Sequence, residues 1–146
     1  MPATQFALLA QVCGLSHREA ADCLGVRIDT VKSWSAGRNP TPAGVLDQLS
    51  ELARKIDRAA DEALDMIDRQ TKKRRAPAAV VELALPGDDA EARELGWPCV
   101  GAQAACFGRV IARGRATGQV FAVVPRGSTP AAEAARAIHD AARKTA

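Results

Sequence analysis

Between Ala43 and Gln70 the apolar residues recur with a regularity that few folds can accommodate. Val45, Leu49, Leu52, Ile56, Ala59, Ala63 and Met66 follow a 4-3-4-3-4-3 spacing, and Leu46, Ala53, Ala60 and Ile67 widen the stripe at seven-residue intervals. That period belongs to an α-helix with one apolar face. Such a helix runs to about 42 Å at about 1.5 Å per residue. The opposite-charge pairs Glu51–Lys55, Arg58–Glu62 and Asp65–Arg69 are spaced i,i+4 and are expected to support its exposed side. A helix this long in a chain of 146 residues must bury its stripe against something, either the C-terminal half or a second copy of the chain.

The apolar inventory sharpens that choice. Hydrophobic residues make up 47% of the chain, but 31 of them are Ala, leaving 38 larger ones and no Tyr. That is thin for one large core, so small cores, close helix contacts through Ala, or a core shared in a homodimer are expected. No run approaches the length of a membrane span. Met1-Pro2-Ala3-Thr4-Gln5-Phe6 places no basic segment before an apolar stretch, so no secretory signal is expected and the cytoplasm is the expected compartment. The formal net charge is +3, with 12 basic against 10 acidic residues in positions 1–75. Charge is therefore mixed, and a nucleic-acid-binding face would have to come from local arrangement.

Upstream of the long helix the signals are local and dense. Thr4 to Cys13 reads as a helix stopped by Gly14. Ser16, with Glu19 three residues later, forms a capping box for a helix that stops at Gly25. A second short helix fits Arg27 to Ala36 and stops at Gly37. Asn39-Pro40-Thr41-Pro42 then breaks the chain, with Thr41 able to cap the long helix and Pro42 fitted to its first position. Two short helices across a tight turn have the shape of a helix-turn-helix. Ala20, Ala21 and Leu24 fall on one face of the first, and Val31 and Trp34 on one face of the second. The other face of the second helix shows Arg27, Asp29, Thr30, Lys32 and Ser33, all polar. A helix of that kind fits a major groove about 12 Å wide.

Through Ser16, Ala21, Gly25, Val26, Thr30, Val31, Trp34 and Gly37, residues 4–70 resemble the helix-turn-helix of the Cro and phage-repressor superfamily. Trp34, Gly37, Pro42, Val45 and Leu49, followed by a long helix and a small α/β tail, more narrowly resemble the anti-CRISPR-associated regulators of phages and mobile elements, short dimeric repressors that dimerise through their C-terminal part. Two departures stand out. Arg27 occupies the start of the second helix, where the family often has a capping Ser or Thr. Ser35 follows the Trp where many relatives have Glu, and Ala10 stands where its basic partner would be, so neither half of that ion pair is present. By resemblance and geometry, His17 and Arg18 would meet the phosphate backbone at the positive end of their helix. Arg27, Asp29, Thr30 and Ser33 are the candidates for base contact, with Arg27 matched to guanine and Asp29 able to accept from cytosine. Lys32, Arg38 and Asn39 would hold phosphates.

The second half is expected to be a small α/β unit. Lys72-Lys73-Arg74-Arg75 and Pro77 end the long helix. The basic run can touch DNA or RNA phosphates, but closing the helix dipole is its simpler role, and RNA binding is not predicted. Ala79 to Leu85 and Gly118 to Val124 read as strands. Between them, Asp88 to Leu95 is a short helix and Cys99 to Arg113 a longer one, with Val100, Ala104, Phe107, Val110 and Ile111 on one side. A last helix fits Pro130 to Arg143. Two strands do not make an independently stable sheet, so pairing across a dimer is attractive, with Val81, Leu83, Trp97, Phe107, Val110, Phe121 and Val123 as candidate contacts.

The expected architecture is mainly α. A helix-turn-helix bundle with the long connecting helix occupies residues 1–70, and a two-stranded α/β dimerisation domain occupies 71–146. Cys13, Cys23, Cys99 and Cys106 contain no C-x-x-C pair, so no metal, cofactor or disulfide is expected. Cys99 stands at the start of a helix, where a thiol pKa can fall. His139 lies alone on the tail and offers no partner base, so no catalytic site is expected. The expected function is an autoregulating repressor that binds an inverted-repeat operator in double-stranded DNA as a homodimer. The reading from a different class is an antitoxin-like module that binds a toxin through its C-terminal half.

Overall fold

The computed structural model describes residues 3–74 and 80–126, and the helix expected over 130–143 and His139 lie outside them. The fold is mainly helical, with a small parallel sheet in its C-terminal half. Helices α1 (Gln5–Val12), α2 (His17–Leu24) and α3 (Ile28–Ala36) precede the long α4 (Ala43–Arg74). Strand β1 (Val81–Leu85), helices α5 (Asp89–Glu94) and α6 (Val100–Ala116), and strand β2 (Phe121–Pro125) complete the order. At 32 residues, α4 spans about 48 Å. It runs one turn beyond the expected end because Lys72, Lys73 and Arg74 lie inside its last turn, where positive charge suits the helix dipole. At its other end the Pro42 carbonyl accepts from Leu46 at 3.3 Å, so Pro42 precedes the first helical residue rather than occupying it.

The two strands pair with each other within the chain, Val81 opposite Phe121 through Leu85 opposite Pro125. Their parallel direction follows from the intervening helices, since a helical crossover returns the chain to the same end of the sheet. Leu83 is buried on the sheet's inner side. The ring of Phe121 lies over Gly114, where any side chain would collide with it.

Buried side chains from both halves meet in one cluster along α4. Of its 18 buried apolar residues among those described, six are Ala and three are Cys, so the helices approach closely and few bulky groups are needed. The face of α6 against α4 differs from the one expected. Ala102, Cys106, Val110 and Gly114 are buried, while Ala104 is exposed and Phe107 and Ile111 are half-buried. Small residues win the central line because they let two helix backbones come near; the larger ones pack on the flanks. On α4, Leu49, Ile56 and Ala60 are buried, and Met66, expected to continue the stripe, is 61% exposed.

The three charge pairs expected along α4 do not form. Glu51 holds Arg54 at 2.9 Å and Arg58 at 3.5 Å. Lys55 instead donates to the Gly96 carbonyl and stands over the Trp97 ring, 4.9 Å from its centroid. Asp57 and Asp61 reach across to Arg109 and Arg113 of α6. An i,i+4 pair contributes only about 0.2–0.5 kcal/mol, so Lys55 is drawn instead to the Gly96–Trp97 turn and Arg58 to Glu51, while α6 supplies partners to Asp57 and Asp61. Among the described residues, no helix is long and apolar enough to cross a membrane.

Candidate nucleic-acid interface

The N-terminal unit is assembled from local signals that each satisfy a helix end. Thr4 Oγ1 accepts from Ala7 N at 3.1 Å and donates to the Ser35 carbonyl at 3.2 Å, tying the start of α1 to the end of α3. That bond links the two helices, and Ala10 on α1 is buried. The capping box of α2 is present in both directions: Ser16 Oγ accepts from Glu19 N, and Glu19 Oε1 from Ser16 N, each at 3.2 Å. Gly25 closes α2 at φ +68°, a left-handed conformation that a Cβ would strain. Val31 is fully buried and Trp34 nearly so, with the Trp34 ring 5.5 Å from that of Phe6 and tilted by 60°.

Anchoring α3 by Val31 and Trp34 turns Asp29, Lys32 and Ser33 to the opposite side. Asp29 and Lys32 are exposed, Ser33 is half-buried, and Thr30 is half-buried on the flank. Arg27 occupies the N-cap of α3 with no side-chain capping bond, and its exposed guanidinium meets no partner among the described residues. His17 and Arg18 are exposed in the first turn of α2, and Arg38 and Asn39 are exposed just after α3. All nine candidate contact residues therefore line accessible parts of one helix-turn-helix unit. Two of them are joined: Asn39 Nδ2 donates to Ser33 Oγ at 2.8 Å, so a candidate base contact and a candidate phosphate contact move as one group. The Ser33 hydroxyl keeps its own proton to donate.

The electrostatics are moderate. Residues 16–39 carry Arg18, Arg27, Lys32 and Arg38 against Glu19, Asp22 and Asp29. Glu19 points away from the exposed face of α3 toward α6. Burial raises its pKa, but hydrogen bonds from Ser16, the Cys99 thiol and the Gly101 backbone outweigh that effect and leave it below the usual carboxylate value. The thiols go the other way. Burial pushes Cys99 up to about 12 and Cys13 up to about 11. The lowered thiol pKa that a helix start can produce is thus absent at Cys99, because loss of hydration outweighs the helix N-terminus. Among the described residues, no three metal-ligating side chains come together.

Two features that seat the unit escaped the sequence reading. Arg109 of α6 donates to the Val12 carbonyl at 3.0 Å, meets Asp57 at 2.8 Å and also reaches the Ala105 carbonyl, joining α1, α4 and α6. Its only sequence signal is a lone cation directly beside the buried Val110. Gly14 and Gly101 form the second: their backbones approach so closely that a Cβ on either would strike the other's carbonyl oxygen.

The candidate dimer contacts are split by burial. Val110 is fully buried and Leu83 and Trp97 are nearly so, all within the chain's own core; Val81, Phe107 and Phe121 are half-buried, and Val123 is 55% exposed. Compared with models of known protein families and with curated proteins, the chain finds no match.

Proposed function

We propose that this protein is a sequence-specific DNA-binding repressor acting in the cytoplasm, a homodimer that occupies an inverted-repeat operator, including one at its own promoter. The observation that carries this reading is the pose of α3. Val31 and Trp34 anchor one side, and the exposed polar side chains of Arg27, Asp29 and Lys32 stand on the other, together with the half-buried Ser33 hydroxyl that accepts from Asn39. A rigid helix presented in this way can enter a major groove and read base edges, while His17, Arg18, Lys32, Arg38 and Asn39 fix register on phosphates. Arg18, Lys32 and Arg38 give three phosphate-binding cations per protomer and six per dimer. The predicted slope of log K against log salt is then about −5, from roughly −0.9 per neutralised phosphate.

A gel-shift titration with the DNA upstream of the gene tests the reading. The expected result is a sequence-selective complex that weakens with salt at about that slope. Equal affinity for unrelated duplexes, or no complex, would refute it.

A further inference from the structure

The distal half of α4 carries a face that the other described residues leave unused. Beyond Arg58, the side of α4 turned to α6 is taken up by Ala60, Ala63, Leu64 and Ile67. Arg113 and Gln119 hold it there through Asp61 and Thr71. On the opposite side Glu62, Met66, Arg69 and Lys73 follow a 4-3-4 spacing, the seam of a helix pair, with Asp65 beside them. These residues line one shallow groove, and Met66 is the most exposed large hydrophobic side chain among the described residues. Lys72 pairs with Asp68 on a neighbouring face. Among the described residues, Glu62, Asp65, Arg69 and Lys73 join no ion pair, although Asp65 and Arg69 are spaced to meet.

The charges on this face are segregated. The acidic residues come first along the helix and the basic ones last, with Met66 between. Such a face complements itself when a second copy is turned end for end: Glu62 then stands opposite Lys73 of the second copy, and Asp65 near its Arg69, with the two Met66 side chains beside the axis. A parallel arrangement would set Glu62 against Glu62 and Lys73 against Lys73, which like-charge repulsion disfavours. An isologous two-fold contact requires this kind of self-complementarity. We propose that the Glu62–Lys73 face of α4 is the homodimer interface and that its occupant is the same face of a second copy running antiparallel. The inference rests on the homodimer reading above and assigns the contact to the long helix rather than to the sheet.

Sedimentation velocity on the full chain tests it. Dimerisation is expected to weaken between about 0.1 M and about 1 M salt, as the screening length falls from about 10 Å to about 3 Å. Glu62→Lys/Asp65→Lys, and separately Arg69→Glu/Lys73→Glu, should each raise the dissociation constant at least about tenfold, with circular dichroism unchanged because all four side chains are exposed. An equimolar mixture of the two variants should associate again, within about threefold of the original affinity, since an all-basic face then meets an all-acidic one. A wild-type monomer throughout the micromolar range would overturn both this inference and the homodimer reading. A wild-type dimer that tolerates both double variants but is lost in Val123→Asp would overturn this inference alone and move the interface to the sheet. Failure of the mixture to associate would also overturn it.

Discussion

Glycine 14 offers a quantitative test of how the helix-turn-helix unit is seated on the rest of the chain. It has φ +72°, and a Cβ there would lie well inside contact distance of the Gly101 carbonyl oxygen. Gly14→Ala therefore imposes two costs: left-handed strain of about 1 kcal/mol, and a clash between two backbones that only separation of α6 from the α1–α2 turn relieves. Overpacking of that kind costs about 1–3 kcal/mol, and backbone atoms, which do not rotate away, place this case near the top. The expected destabilisation is about 4 kcal/mol. Gly25 isolates the first cost, because it has φ +68° with no atom near its would-be Cβ, so Gly25→Ala should lose about 1 kcal/mol. Gly101 lies within α6 and so lacks the first cost, but its Cβ would meet Glu19 Oε2 as well as the Gly14 carbonyl oxygen, and Gly101→Ala should lose about 2 kcal/mol once a helix-propensity gain is subtracted. Urea unfolding at constant m-value reads all three. The double variant Gly14→Ala/Gly101→Ala should lose less than the sum of the singles, since one separation relieves both clashes. If Gly14→Ala and Gly25→Ala differ by less than about 0.5 kcal/mol, the typical error of additivity between independent sites, the close backbone contact is wrong.

The remaining predictions concern binding and titration. Arg27→Ala should weaken specific DNA binding by about 1–3 kcal/mol and relax one base preference, whereas Lys32→Ala should weaken all sequences alike and flatten the salt slope by about one; fluorescence anisotropy on operator and scrambled duplexes separates the two. The folded-state pKa of Glu19 lies below its ordinary value of 4.5, so its contribution to stability is present above that pH and is lost as pH falls through the folded value. Glu19→Gln should therefore flatten the acid limb of a stability–pH curve below that point, and an unchanged limb would contradict the Cys99 and Gly101 contacts. Cys99 and Cys13, with pKa values pushed to about 12 and about 11 by burial, should resist iodoacetamide at neutral pH in the native state while exposed Cys23 is modified first. Peptide mass mapping after a short labelling pulse gives the order.

What the amino-acid sequence revealed in advance was whatever depends on near neighbours. The Ser16–Glu19 capping box, the left-handed turn at Gly25 and the inward Val31–Trp34 pair span three to four residues each, and the structure bears them out. The missing cap at Arg27 was equally readable. The face of α6 was not, because a ranking by hydrophobicity favours Ile111 and Phe107 over Cys106 and Gly114, while close packing on α4 favours the smaller pair. The charge pairing of α4 was misjudged because Lys55 finds the Gly96 carbonyl and the Trp97 ring, which no local rule places beside it, and Arg58 turns back to Glu51. The Ser33–Asn39 bond joins positions six apart across the end of a helix, and only the turn at Gly37 brings them together. The parallel sense of the sheet follows from its crossover helices, yet which residues face the core could be decided only by the packing of α6.

The length of α4 also works as a ruler. With two chains paired antiparallel about an axis between Met66 and Arg69, each α4 extends back to Ala43 over a distance of about 36 Å at about 1.5 Å per residue. The two Ala43 ends then stand about 72 Å apart, close to two turns of B-DNA at about 34–36 Å each. Each helix-turn-helix unit joins α4 at that end but packs back along it, with Cys13 against the Leu49 carbonyl and Val12 tied through Arg109 to Asp57. Both units therefore lie inside that span, and half-sites centred more than about 21 base pairs apart would be out of reach.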